Sequence, residues 1–267
     1  MRATLIIPTL NEGESVGHVI RTFRSAAEEA NRTRFARDPI EWEVLVIDGA
    51  STDGTAEKAR AEGARVIVEP RKGYGRAYRT GFASAQGEII ATLDGDGTYP
   101  AERVPEYVDH LLEHGLDLVS GDRLASIDRS AMTTEHRIGN WALNLFVRIA
   151  YHHYLRGLPN GELRDSQSGM WVLRRTLLDE VHLTQDGMAM SEELKIEAIV
   201  RGFRFEEVPI RYAKRWGAPK LSSWRDGQRN LAYLFTKRLE LKRRPPVVRR
   251  GTPRRSESGP GTESAGR

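Results

Sequence analysis

The sequence predicts an α/β domain: a mostly parallel sheet flanked by helices. Two observations carry that expectation. Over the first 120 residues short apolar runs alternate with amphipathic helical patterns, the order of stacked βαβ units. Four of those runs also end in loops rich in Asp, Asn, Gly or Pro. In a parallel sheet such ends share one rim, where ligands collect.

The elements follow in order. Residues 4–7 form a strand stopped by Pro8. A helix follows over 15–30, with Val16, Val19, Ile20 and Phe23 on one face. The second strand, 44–47, ends at Asp48, and a short helix over 55–62 is closed by Gly63. Residues 65–68 are a third strand, 74–85 a helix and 89–93 a fourth strand. Val104, Val108, Leu111 and Leu112 fall at helical spacing in 102–114, and 116–119 is a fifth strand. Beyond Gly121 a polar loop reaches 135, followed by a long helix over 137–156. Two further strands, 170–173 and 205–210, flank a helix over 190–201, and a last helix spans 222–243. The expected organisation is one domain over 1–236 and a basic, disordered tail over 245–267.

Composition narrows the function classes. The 267 residues contain no Cys, which removes disulfides, thiolate metal sites and cysteine nucleophiles. The apolar run after Arg2 stops at Pro8 and Asn11, so no signal peptide is expected, and no apolar stretch approaches the roughly 18 residues of a membrane span. The net charge of +4 is uneven: residues 237–267 hold ten Lys/Arg against three Glu, so the rest of the chain is mildly acidic. An acidic body argues against nucleic acid as a partner. The basic end suits either solvation or contact with anionic lipid.

The rim loops hold the candidate chemistry. Asp94-Gly95-Asp96-Gly97-Thr98 directly follows the apolar run 89–93. Buried strands avoid charge unless it is paired or bound to a cation. Two carboxylates one residue apart offer hard oxygens to Mg²⁺ or Mn²⁺ and a diphosphate, and the glycine lets backbone approach a ligand. The same residues are also turn formers, and the pentad alone does not separate the two readings. Asp48 could accept ring N–H bonds from a nucleobase, and Glu12 could orient ribose or base; Asp53, beside Gly54-Thr55, is expected to cap the next helix. Arg71 to Arg76 combines glycines and cations at a helix start, a composition that suits phosphate, although it is neither a dinucleotide fingerprint nor a P-loop.

These segments, in this order, resemble family 2 glycosyltransferases of the GT-A fold, and within them the dolichyl- or polyprenyl-phosphate sugar synthases. The resemblance covers about 3–235 and rests on IPTLNE at 7–12, VIDGASTDGT at 46–55, KGYGRAYRTGF at 72–82, GEIIATLDGDGTYP at 87–100, GDR at 121–123, RDSQSG at 164–169 and EELKIEAIVRGFRFEEVPIRY at 192–212. It implies a nucleotide-sugar donor, UDP- or GDP-linked, a divalent cation (Mg²⁺ or Mn²⁺) and a lipid-phosphate acceptor. By position, Pro8, Glu12, Asp48, Asp94, Gly95 and Asp96 would contact the nucleotide. Asp96 would be the main metal ligand with Thr98 beside it, where these synthases typically carry Gln. Arg123 and Arg137 would hold the acceptor phosphate, and Arg215 and Lys220 would close over the diphosphate. Asp165 would orient a cationic group or cap a turn, and Glu193 would help position the donor sugar. Gly49, Leu10 and Pro219 depart from the usual Asp, Tyr and Ser.

A lipid phosphate is already anionic near neutral pH, so such a transfer needs no general base. The helix over 137–156 places Ile138, Trp141, Ala142, Leu145 and Ile149 on one stripe, and the helix over 222–243 places Trp224, Leu231, Leu234 and Phe235 along one side before a basic end. Either helix could lie in a lipid interface or pack on the sheet. The expectation is a peripheral enzyme on the cytoplasmic face of a membrane. Two alternatives stand beside it: transfer to a soluble acceptor, with Asp165 or Glu193 as base, and a sugar-nucleotide nucleotidyltransferase, which the Pro8–Glu12 loop disfavours. His152 and His153 read as an exposed helix face.

Overall fold

The structure is a computed structural model that describes residues 1–125, 134–158, 161–217 and 223–243, with side chains 134–138 and 223–226 outside the description. Seven strands form one sheet in the order β3-β2-β1-β4-β6-β5-β7. They are β1 (Arg2–Thr9), β2 (Glu41–Asp48), β3 (Arg65–Val68), β4 (Ile89–Thr92), β5 (Leu118–Asp122), β6 (Trp171–Arg174) and β7 (Phe205–Pro209). The helices are α1 (Val16–Arg32), α2 (Thr55–Ala61), α3 (Tyr74–Ser84), α4 (Val104–Glu113), α5 (Thr134–Leu155), α6 (Arg175–Glu180), α7 (Met190–Val200) and α8 (Ser223–Arg243).

The β1 ladder explains why its sequence is almost uninterrupted in apolar residues. Successive side chains of a strand face opposite ways. Leu5 and Ile7 pack with Val16, Val19 and Phe23 of α1 and Val104 and Val108 of α4. Ile6 packs on the other face with Leu45, Ile47 and Tyr78 and Phe82 of α3. Both faces are covered, so neither tolerates a polar alternation. Gly81 lets α3 approach closely, because a Cβ there would stand 2.7 Å from Ile6 Cγ2.

Parallel pairing sets the rim. β1 runs parallel to β2, with Thr9 opposite Asp48, and parallel to β4, with Ile6 opposite Thr92. The chain runs outward from β1 to β2 and β3, then returns to lay β4 on the other side, so β1 and β4 straddle a switch point. β6 is the exception: it inserts between β4 and β5 and runs antiparallel to both.

Several bounds differ from expectation. The fifth strand is displaced toward Leu118–Asp122, so Gly121 and Asp122 belong to it rather than to the loop after it. Contact with β6 and β7 on both sides extends the ladder through Asp122. The short helix α6 was not anticipated. The expected tail over 245–267 lies outside the described residues.

Candidate active site

The β1 and β2 tips are knitted together. Thr9 Oγ1 donates to Asp48 Oδ1 at 3.2 Å, and the Ser51 N–H donates to Asp48 Oδ2 at 2.9 Å. Asn11 and the 51–52 turn exchange bonds: the Asn11 N–H to Ser51 Oγ, and the Thr52 N–H to Asn11 Oδ1. Asn11 (φ 51°) and Ala50 (φ 58°) are both left-handed, a conformation that costs a Cβ-bearing residue roughly 1–2 kcal/mol. Asp53 sits one residue before the α2 cap, which is Gly54; it accepts from the Thr55 N–H and, across the loop, from the Gly13 N–H at 2.8 Å. It organises both the helix start and the turn before α1.

Asp94 to Thr98 lies at the switch point. Asp96 is buried, and its Oδ1 accepts from the Thr98 N–H (3.0 Å) and Thr98 Oγ1 (2.6 Å). Asp94 accepts from the Tyr74 hydroxyl at 3.2 Å. Burial and the Asp96 charge push the Asp94 carboxyl up to about 7, against the Tyr74 bond and the Arg123 and Arg215 charges. Gly95 is required, because a Cβ there would meet Thr9 Cγ2 at 2.7 Å, and its carbonyl accepts from Ser15 Oγ at 2.7 Å. The 211–217 segment folds back over the pentad. The Trp216 N–H donates to the Asp96 carbonyl at 3.0 Å, and the Trp216 ring stacks on His18 at 5.2 Å. Arg215 Nη2 stands 2.9 Å from Asp96 Oδ2 and 3.8 Å from Glu12 Oε1.

Across the site, Arg123 leaves the β5 tip and is gripped by Asp165. Arg123 Nε donates to Asp165 Oδ2 (2.7 Å) and Nη2 to Oδ1 (2.8 Å), while the Arg123 N–H donates to Oδ2 (3.0 Å). Tyr212 lies 5.4 Å from the guanidinium. Burial raises the Asp165 carboxyl, but the Arg123 charge and hydrogen bonds outweigh it and hold the group below the ordinary range. Asp165 therefore orients a cation, and its carboxylate is committed to doing so. Glu193, expected near the donor sugar, is instead turned onto the 184–185 loop: it accepts from the Thr184 N–H and Oγ1 and from the Gln185 N–H. Glu12, Asp94, Asp96, Thr98, Arg123, Asp165 and Arg215 thus form one neighbourhood, with Asp48 at the neighbouring β2 tip. The Arg137 side chain and Lys220, like Pro219, lie outside the described residues.

The 71–76 loop does not make the phosphate cradle its composition suits. Arg71 pairs with the buried Glu69, and Arg76 with Asp186. Its glycines serve packing: a Cβ on Gly73 (φ 138°) would meet the Asp186 carbonyl, and one on Gly75 the Gln185 carbonyl, each at 2.2 Å. The tyrosines missed by sequence reasoning, Tyr74, Tyr78 and Tyr99, wall the Asp94 side, and the Tyr99 hydroxyl accepts from the Gly169 N–H at 2.8 Å. Their signal was present in KGYGRAY and GTYP, where aromatics interrupt loop composition.

The two outer helices divide their faces. α5 buries Leu143, Val147, Tyr151 and Leu155 and exposes Trp141 (64%), Leu145 and Ile149 (71%). α8 exposes Leu231, Phe235 and Leu239. Leu234, expected on that stripe, is buried instead, because α8 packs on α5, where Tyr151 donates to the Leu234 carbonyl. The Trp224 side chain lies outside the described residues. No helix among the described residues is long and apolar enough to cross a membrane.

The pentad fits a hard divalent cation in part. No group of three or more His, Asp or Glu side chains among the described residues could hold a metal alone. Asp96 with the Thr98 hydroxyl against it, and Asp94 nearby, supply few oxygens; Mg²⁺ commonly takes one or two carboxylates and completes its shell with substrate phosphate and water. Such a donor set suits a cation that arrives with a diphosphate.

Comparison with known proteins places this geometry. The Glycosyl transferase family 2 model matches residues 4–182. The chain is 36% identical over 212 residues to Glycosyltransferase AglJ of Haloferax volcanii, covering 79% of this chain and 63% of AglJ. It is 34% identical over 223 residues to the Dolichyl-phosphate hexose transferase of the same organism, covering 84% of this chain and 88% of that one. Among solved structures, glucosyl-3-phosphoglycerate synthase from Mycobacterium tuberculosis, in complex with Mn²⁺, uridine diphosphate and glucosyl-3-phosphoglycerate, superposes with a TM-score of 0.68 at 22% identity, covering 88% of this chain and 79% of that one. The sheet order, the carboxylate pair at its switch point and the family match over 4–182 agree: the chain belongs to glycosyl transferase family 2.

Proposed function

We propose that this glycosyltransferase moves a hexose, with inversion, from a UDP- or GDP-sugar to a polyprenyl or dolichyl phosphate. One observation carries the choice of acceptor. A hydroxyl acceptor needs a base, and the two carboxylates best placed by sequence to act as one are both occupied, Asp165 by Arg123 and Glu193 by the 184–185 loop. A phosphate arrives already ionised and needs a cation instead, which Arg123 offers. The relatives point the same way by name: besides the hexose transferase, a Dodecaprenyl-phosphate galacturonate synthase of Rhizobium johnstonii is 29% identical over 191 residues.

In this reading Pro8, Glu12, Asp48, Asp94, Gly95 and Asp96 bind the nucleotide, and Asp96 and Thr98 hold Mg²⁺ or Mn²⁺. Bound there, the ion supplies Lewis-acid neutralisation of the departing diphosphate. Arg215 leaves Asp96 to close over the diphosphate with Lys220. Arg123 and Arg137 align the acceptor phosphate, Arg123 in the orientation Asp165 imposes; a bidentate guanidinium suits such oxygens. A phosphate oxygen then attacks the anomeric carbon as its bond to the diphosphate breaks, and the diphosphate leaves with the bonding electron pair. No proton moves. The exposed stripes of α5 and α8, with Lys242 and Arg243 at the end of α8, suit peripheral contact with the cytoplasmic face of an anionic membrane, where such an acceptor resides.

Incubating the protein with radiolabelled UDP- and GDP-sugars, Mg²⁺ or Mn²⁺ and polyprenyl phosphate tests the reading. Label extracted into organic solvent with one donor is expected. No lipid label with any donor, while a soluble hydroxyl acceptor is glycosylated, overturns it. Diphosphate release from a nucleoside triphosphate plus sugar phosphate would indicate a nucleotidyltransferase.

A further inference from the structure

The Asp165 that grips Arg123 is itself held at its backbone on both sides. Its N–H donates to Glu207 Oε1 at 2.9 Å, and the preceding Arg164 N–H donates to Glu207 Oε2 at 2.6 Å. Its carbonyl accepts from Lys195 Nζ at 2.5 Å. Glu207 belongs to β7, opposite Ser120 of β5, and Lys195 to α7, so two separate elements converge on one peptide.

Lys195 is an expensive choice for that place. It is 0% exposed, and α7 is buried along its whole length. Burial lowers the ammonium's proton affinity, opposed by the charges of Asp165 and Glu207. A buried lysine is destabilising unless charge and hydrogen bonds compensate, and Met would fill much the same space without that penalty. What Met could not do is bind the Asp165 carbonyl.

We propose that Lys195 is a positioning residue for transfer: with Glu207 it fixes the Asp165 peptide, and through it the orientation in which Arg123 meets the acceptor phosphate. Lys195 touches no substrate; it acts through Asp165. This role rests on the acceptor reading above. The bidentate pair fixes the guanidinium relative to Asp165, and the Arg123 N–H ties that carboxylate to the β5 tip; Glu207 and Lys195 anchor the Asp165 backbone from the other side.

The test compares Lys195→Met, Glu207→Gln and the double variant in steady-state transfer to polyprenyl phosphate, with KM measured for both substrates and unfolding temperature recorded. Each single variant is expected to lower kcat by about 10²-fold and to raise KM for the lipid phosphate, because misplacement near 1 Å has that effect. KM for the nucleotide sugar should not change. The double variant should be no worse than the poorer single one, since both act through one peptide. A lowered unfolding temperature with unchanged kinetic constants would show a purely structural Lys195 and overturn the proposal. Should Lys195→Met fail to fold, the half-buried Glu207→Gln decides by the same kinetic signature. Wild-type protein that transfers to no phosphate acceptor overturns the acceptor reading and this role together; wild-type transfer with unaltered variants overturns this role alone.

Discussion

The rim and helix α7 both hold carboxylates out of water, and they do so in opposite ways. At the rim, Asp94 and Asp96 stand one residue apart, and the charge of one contributes to pushing the other up to about 7. Along α7 the charges other than Glu192 are satisfied inside the chain: Glu197 by Lys237 (2.5 Å) and Arg201 (2.7 Å), Glu193 by the 184–185 loop, Lys195 by the Asp165 carbonyl. The rim keeps a charge imbalance that a cation and diphosphate would relieve, whereas α7, Glu192 apart, has its charges partnered within the chain. One region should therefore show its importance in turnover and the other in stability.

The largest separation is expected for Asp96→Ala. Turnover should fall by about 10²–10³-fold or more, as when a transition-state charge stabiliser is lost, together with Mn²⁺-dependent nucleotide binding. Unfolding free energy should fall by no more than about 1–3 kcal/mol, the cost of the lost Thr98 hydrogen bonds, which urea titration would show. A large stability loss would mean that the rim is as closed as α7. The complementary change is Glu197→Ala, which takes from the largely buried Lys237 the nearer of its two carboxylates and leaves it Glu240 at 3.3 Å. Removing one member of a buried pair costs about 3–5 kcal/mol, and kcat of the folded fraction should be unaffected.

The smallest effect sharpens the comparison within α7. Glu192 accepts from Gln167 Nε2 and Asn230 Nδ2 through Oε1, while its Oε2 has no partner among the described residues. Burial pushes its carboxyl up from 4.5 to about 7, against those hydrogen bonds and the Lys195 charge. Between these values the folded state holds more protons than the unfolded one, so stability should fall as pH rises from about 4.5 to about 7 and then level. Glu192→Gln should remove that component of the slope in urea titrations at pH 5, 6, 7 and 8. An unchanged slope would place Glu192 with its ionised neighbours.

Much of the rim was legible because its causes are local. β1, β2 and β4 are apolar runs buried on both faces, and parallel pairing carries their ends to one edge; Pro8 does not stop β1 as expected, because the ladder with β2 continues through Thr9 opposite Asp48. Pairing direction has no such local signature, so nothing in 170–173 disclosed that β6 runs antiparallel between β4 and β5. The burial of α7 was hidden for a related reason. Nothing in the sequence marks Glu192, Glu193, Lys195 and Glu197 as buried, since charged side chains are rarely buried unless paired, and partners such as Lys237, Asp165 and Asn230 lie far away in sequence. The 71–76 loop erred the other way: its glycines were needed by a neighbouring loop, and its cations had carboxylates waiting. On α8 the periodicity found an apolar side but not which residues α5 would cover, which is why Leu234 is buried while Leu231 and Phe235 are exposed.

The antiparallel insertion also sets an order of events during synthesis. β5 bonds only to β6 and β7 in the sheet, and both are made after it, whereas β1, β2, β3 and β4 find their neighbours among themselves, save for the edge of β4 that awaits β6. As the chain leaves the ribosome, the β1–β4 part of the sheet can assemble while β5 waits without a ladder until Trp171–Arg174 emerges. The strand tip that presents Arg123 is thus among the last parts of the sheet to be locked, and a chain arrested before β6 would carry the β1, β2 and β4 rim loops with Arg123 on a strand that has no ladder.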